Sequence, residues 1–244
     1  MAENFTDETG DKPVSWWYFE EESTPALDGN TTNNNDLAWA TTTNRNADHV
    51  QGSFSYEVPE QAADNPASTF ANLSSNFPFK GATTAFTIGG WAYIPNTLVG
   101  ALLANFWQAG TSGWFFHKND SNGARVEVIA PVTGSYIPGD SDLTTPAWHH
   151  FILRWNGDNR SGAGADDELS FWVDGVKQST TQTQTSFVLN TTATFEFRGH
   201  ASSAFKYDEW FVFDVALLDT QIADIYNYRL DGSAQPFRLM FRGS

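Results

Sequence analysis

The 244-residue chain has no cysteine and only two methionines. Disulfides and thiolate metal sites therefore have no part in its fold, and redox chemistry says nothing of its compartment. Basic residues are scarce: 13 Lys and Arg face 29 Asp and Glu, a formal net charge of −16. A surface this acidic repels phosphate backbones and anionic lipid, which argues against nucleic acid and membrane partners. No run approaches the ~20 apolar residues that span a bilayer, so membrane insertion is not expected. The opening Met-Ala-Glu-Asn-Phe-Thr-Asp-Glu lacks the apolar core of a secretory signal, and the expectation is a protein made and folded in the cytosol.

Aromatic residues, by contrast, are abundant. They make up 15% of the chain, with 20 Phe and 10 Trp, while charged residues are only 17% and Asn, Thr and Ser supply much of the polarity. That balance suits half-buried strands and turn-rich connections rather than surface helices. Alternation of apolar and polar residues predicts strands at Val14–Glu20, His49–Val58 (with Val50, Phe54 and Tyr56 on one face), Ala85–Ile94, Leu102–Gln108, Gly113–Lys118 and Arg125–Ala130. Further strands are predicted at Trp148–Trp155, Leu169–Val173, Thr194–Arg198, Glu209–Asp214 and Phe237–Arg242. Residues 131–147 and 156–167 read as Gly-rich and Asp-rich loops. Asp174-Gly175 is a hairpin turn signal. One helix is predicted at Asp219–Arg229, with Asp219 as N-cap and Ile222, Ile225 and Tyr226 on one face. Short strands at roughly ten-residue spacing indicate an all-β sandwich or barrel.

Four stretches carry a family pattern. Ala85-Phe-Thr-Ile-Gly-Gly-Trp91, Trp148-His-His-Phe-Ile-Leu-Arg-Trp155, Leu169-Ser-Phe-Trp-Val-Asp-Gly175 and Asp208–Ile222 resemble, in order and spacing, strands of laminin-G-like, concanavalin A-like lectin (glucanase) jelly rolls. Trp17–Asp28 is similar to that family's opening strand and loop. The resemblance covers residues 14–228. It implies a two-sheet antiparallel jelly-roll β-sandwich with one short helix near the C-terminus, flanked by an arm at 1–13 and a tail at 231–244. Within that fold, Trp91 and Trp148 are expected between the sheets, and Asp219 is expected to cap a helix covering one end of the sandwich.

Fold alone does not fix function. Glycoside hydrolases of this architecture place paired carboxylates at alternating positions on one strand face. No Glu-x-Asp-x-x-Glu run is present. Asp208 and Glu209 are adjacent and so are expected on opposite faces, as are His149 and His150. Gly-x-Ser-x-Gly, His-Glu-x-x-His and phosphate-loop motifs are also missing, and the chain is read as non-enzymatic. The resemblance implies a calcium ion at the sandwich rim. Oxygen-rich residues in 28–36 could supply it, with Asp28, Asn30, Asn35 and Asp36 as ligands and Asp208 approaching from a strand. An Asn-rich turn bonded to itself is the alternative. For sugar binding, Trp107, Trp114 and Tyr136 are the candidate aromatic platforms. The functional expectation is a structural or attachment protein of a tailed-phage virion (a capsid decoration or a tail or fibre component) contacting other virion proteins or copies of itself. The alternative is an extracellular carbohydrate-binding lectin or adhesin, calcium-dependent or not, with surface glycans as partners.

Overall fold

Strand alternation turns large aromatics to both faces of one sheet, and each face then needs a cover. In the computed structural model, residues 13–21, 27, 35–39, 44–50, 52–58, 69–71, 85–95, 102–107, 113–118, 123–129, 134–143, 146–156, 169–178, 195–197 and 204–230 are described. The strands are β1 (Ser15–Trp17), β2 (Leu37–Trp39), β3 (Asn44–Asn46), β4 (Ser55–Val58), β5 (Thr69–Ala71), β6 (Phe86–Ile94), β7 (Leu102–Trp107) and β8 (Gly113–Lys118). They continue with β9 (Gly123–Ile129), β10 (Gly134–Asp142), β11 (Ala147–Trp155), β12 (Leu169–Val173), β13 (Val176–Lys177), β14 (Phe195–Phe197) and β15 (Phe205–Phe213), followed by helix α1 (Asp219–Leu230).

Two antiparallel sheets result. Sheet A runs β13-β12-β11-β6-β15-β4-β3, with β1 added beside the far half of β15. Sheet B runs β10-β9-β8-β7-β14-β5-β2. This is the jelly-roll sandwich that the sequence implies. Register fixes which side chains share a face. Phe151, Leu153 and Trp155 of β11 lie opposite Gly90, Ile88 and Phe86 of β6 and point into the sandwich. Tyr207 and Trp210 join them and meet Phe197 of sheet B at centroid distances of 4.7 and 4.9 Å. Gly90 is required there, because a Cβ would sit 2.4 Å from Trp210 Cγ.

The outer face of sheet A is also apolar where the helical segment lies against it. Ile152, Trp172, Phe211 and Phe213 pack against Leu217, Ile222 and Ile225 of the helical segment. Arg154 ties the two layers, donating to the Leu217 carbonyl at 2.8 Å and pairing with Asp219 at 2.5 Å. The helix therefore covers the outer face of one sheet rather than an end of the sandwich.

Several expectations need correction. Trp91 and Trp148 do not lie between the sheets: Trp91 pairs with His150 and Asp208, Trp148 pairs with Tyr93, and this row parity puts both outside. Residues 131–147 are not a loop throughout, because β10 occupies 134–142 and pairs with β9. Strand β4 begins only at Ser55, and Val50 lies in the preceding loop. Strand β15 starts at Phe205, four positions before the predicted Glu209. Asp219 is the first helical residue, not the cap. Leu218 holds the cap position: its carbonyl accepts from Ile222 N at 3.0 Å, and its N–H donates to Gln221 Oε1 at 2.7 Å, half of a capping box. Arm residues 1–12 and the tail at 231–244, including the strand expected at Phe237–Arg242, lie outside the described residues.

Candidate functional site

One register row on the outer face of sheet A escapes the helix. Trp148 of β11 lies opposite Tyr93 of β6, Tyr93 opposite Lys206 of β15, and Lys206 opposite Glu57 of β4. All four side chains are half-buried. The next row toward the helix, His150, Trp91 and Asp208, is buried. Two covers explain the difference. Tyr226 of α1 stacks on Trp91 at 5.9 Å and lies tilted against His150 at 5.8 Å, both between ring centroids. The loop after β3, residues 47–50, closes over Asp208, whose Oδ2 accepts from Val50 N at 2.8 Å. The exposed row is thus a ledge with a loop for its wall.

The wall is built by local chemistry. Asp48 N donates to Asn46 Oδ1 at 2.9 Å, an Asx-type turn. Ser55 Oγ donates to the Asp48 carbonyl at 2.7 Å. His49 Nδ1 lies 2.7 Å from the Ala47 carbonyl; a carbonyl can only accept, so Nδ1 carries the proton there. Asp48 then reaches across the ledge. Its Oδ1 accepts from Trp148 Nε1 at 3.0 Å and its Oδ2 pairs with Lys206 Nζ at 2.5 Å. Burial pushes the Asp48 pKa up, but the hydrogen bonds from Lys206 and Trp148 outweigh it and hold the carboxyl below its ordinary 3.8. Asp48 is therefore ionised across the neutral range. Lys206 also sits 4.5 Å above the Tyr93 ring, whose edge contact with Trp148 is 5.8 Å between centroids. At the far end Asn46 Nδ2 bonds Glu57 Oε2. An indole face, a fixed carboxylate and an ammonium in one shallow site make a stacking platform with hydrogen-bonding partners for hydroxyl groups.

The residues singled out from sequence lie elsewhere. Trp107 and Trp114 stand on neighbouring strands β7 and β8, and Tyr136 stands opposite Glu127 on β10, all in sheet B. Asp28 and Asn30 are outside the described residues. Asn35 is buried and committed to β1: its amide donates to Ser15 Oγ at 2.7 Å, and its carbonyl accepts from Trp17 Nε1 at 2.9 Å. Ser15 and Trp17 face the interior, whereas Asp208 faces outward and holds the 47–50 loop, so the structure does not bring Asn35 and Asp208 together. Asp36 instead lies near Glu21, where its charge adds repulsion to the burial that raises the Glu21 pKa above 4.5. With Asp28 and Asn30 outside them, the described residues hold only part of the expected calcium set, and among the described residues no group of three or more His, Asp or Glu could hold a metal.

His149 and His150 part company as alternation requires. His150 faces the helix. His149 faces inward, and its Nδ1 lies 2.7 Å from Asp174 Oδ2, while Asp174 Oδ1 accepts from His150 N at 2.9 Å. Asp174 and Gly175, at φ of 50° and 75°, form the hairpin turn between β12 and β13. This pair fastens that turn to β11.

A family model, described as the concanavalin A-like lectin/glucanases superfamily, matches residues 65–223. The chain belongs to this superfamily. Its jelly roll is similar to the binding domain of Paraclostridial Mosquitocidal Protein 1, with a TM-score of 0.69 at 14% identity over 88% of this chain and 52% of that one. A structure of botulinum neurotoxin type C, described as interacting with two ganglioside molecules, gives a TM-score of 0.67 at 13% identity, covering 89% and 51% of the two chains. The binding domain of botulinum neurotoxin DC in complex with rat synaptotagmin II gives 0.66 at 12% identity over 89% and 51%. This concanavalin A-like chain spans about half the length of each of these structures. No curated protein matches it.

The ledge was not among the sequence candidates. Its parts come from β3, the 47–50 loop, β4, β6, β11 and β15, over 150 positions apart at the extremes. The legible signal was Asp48-His49 following Asn46, a polar turn of the kind that positions side chains, next to Trp148 in the Trp-His-His motif.

Proposed function

We propose that this chain is a non-catalytic binding module that holds a glycan on the Trp148 ledge. The observation that carries the reading is Asp48, fixed between the Trp148 indole and the Lys206 ammonium beside a half-exposed aromatic row. A sugar ring offers an apolar face to an indole and hydroxyls to charged groups, and this site supplies both. The ionisation of Asp48 supports binding over catalysis, since a carboxylate held below its usual range accepts hydrogen bonds but is a poor proton donor. The superfamily's lectin members, and the ganglioside partner named for the type C neurotoxin, support a glycan ligand. In the tailed-phage virion setting inferred from sequence, the same ledge would attach the particle to surface glycans.

A glycan array with the full chain tests the reading, run beside Trp148→Ala and Asp48→Ala variants shown to be folded by circular dichroism. The expected result is binding to at least one glycan class that both substitutions weaken by about tenfold or more, the loss of roughly 1.4 kcal/mol of contact. A blank array, or binding that neither substitution changes, would overturn it.

A further inference from the structure

We infer that the bulge in β15 assembles the ledge, with Glu209 and Asp208 as positioning residues that act on Asp48 through the 47–50 loop. The consequence for ligand binding rests on the reading above; the placement of the loop does not.

Facing comes first. Along a regular strand, residues an odd number apart lie on opposite faces. On β15, Tyr207 and Trp210 both point into the sandwich and meet Phe197. Asp208 and Phe211 both face outward, one to the loop and the other to the helical segment. The register accounts for this. Asp208 lies opposite Trp91 and Phe211 opposite Gly89, so three steps along β15 match two along β6. Gly90 occupies the gap and leaves room for the Trp210 ring. Within the bulge Glu209 is buried at a φ of 54°. A non-glycine residue there is uncommon, and such strain persists where the surroundings impose it. On its other edge, β15 exchanges β4 for β1 across the same residues.

The two halves of β15 thereby serve different layers. Trp210 fills the core and Phe211 and Phe213 seat α1, whereas Lys206 and Asp208 hold the loop. Those two anchors lie about 7 Å apart along the strand, and they grip loop residues also two positions apart. Lys206 Nζ pairs with Asp48 Oδ2 at 2.5 Å, and Asp208 Oδ2 accepts from Val50 N at 2.8 Å. Without the extra residue, the packing of Trp210, Phe211 and Phe213 would still fix the second half. Lys206 and Asp208 would then turn inward, since a one-residue slip reverses facing. The loop would lose both anchors, and Asp48 its place between Lys206 and Trp148. Asp208 is fully buried, so it reaches the ledge through Val50 rather than by touching a ligand.

Hydrogen exchange by NMR on the full chain tests this with no ligand present. The reporters are the Trp148 indole N–H, which bonds Asp48, and the Val50 amide, which bonds Asp208. Glycine accepts a positive φ, and a β-branched residue resists it. Glu209→Gly is expected to keep both rates within about twofold of the parent, and Glu209→Val to raise both by about tenfold or more. The Ile152 amide in the centre of β11 should stay within about twofold in each. If Glu209→Val does not fold, the pair at Asp208 decides. Asp208→Ala removes the acceptor and should give the same tenfold rise, whereas Asp208→Asn keeps an acceptor and should exchange as slowly as the parent. Equal rates in the two members of the deciding pair overturn the inference. So does a rise at Ile152 as large as at the reporters, which would mean lost stability alone. On the glycan array, Asp208→Ala should weaken binding as Asp48→Ala does. A blank array beside the expected exchange pattern removes the glycan reading and leaves the positioning role standing; glycan binding that Asp208→Ala does not weaken removes the positioning role alone.

Discussion

Asp48 shows how one side chain can set both a site and a pH dependence. Its folded pKa lies below the ordinary 3.8, because the Lys206 and Trp148 hydrogen bonds outweigh its burial. A depressed carboxylate contributes stability that is fully present above the unfolded value and lost as pH falls through the folded one. Asp48→Asn should therefore lower the urea midpoint at neutral pH, by no more than ~1 kcal/mol for so exposed a pair. The two proteins should converge as pH drops below 3.8. Parallel midpoints at all pH values would contradict the account. Glu21 runs the other way. Burial raises its pKa above 4.5, Glu20 and Asp36 add repulsion, and backbone N–H groups of Glu21 and Leu27 offset only part of this. Its ionised form is disfavoured in the fold, so the favourable state exists below the unfolded value and is lost as pH rises through the folded one. Glu21→Gln should melt higher than the parent at neutral pH, and the advantage should vanish below 4.5. Thermal scans at both pH values check it.

At the scale of elements, the helix and the β11–β12 hairpin were legible in the sequence, and the placement of their side chains was not. The apolar spacing of Ile222 and Ile225 located α1 to within a residue, because its buried stripe has a period that no strand shares. The cap was misplaced by one position, since Asp219 is the residue type that caps helices, yet Arg154 and Lys177 claim its carboxylate from neighbouring strands. Trp91 and Trp148 were assigned to the wrong face for a similar reason. A large aromatic on a strand signals burial, but sheet A is buried on both faces beneath α1, and composition cannot say which side is which. The bulge at Asp208–Phe211, where Glu209 takes φ of 54°, switches the facing of β15 midway and has no glycine to announce it. If α1 is a true cover for the outer face, Ile225→Ala should cost about 3 kcal/mol through the cavity it leaves. The denaturant midpoint should fall with the m-value unchanged. A loss under about 1 kcal/mol would mean that the helix contributes little to the core.

For the whole molecule, charge separates two properties that salt would otherwise move together. With −16 on one chain, the folded state carries self-repulsion over distances comparable with the Debye length, ~10 Å at 0.1 M salt and ~3 Å at 1 M. Raising sodium chloride through that range should therefore raise the melting temperature. Binding to a neutral glycan should not follow. Stacking on Trp148 and hydrogen bonds along the ledge release no condensed counterions, so a plot of log affinity against log salt should be nearly flat. An anionic ligand would be repelled at low salt, and its affinity would climb as salt screened the −16 surface; a cationic partner would do the reverse, because salt weakens attraction between opposite charges. The three slopes, near zero, positive and negative, make one titration series decisive. A slope clearly different from zero would point to a charged ligand for the ledge, and the sign would say which.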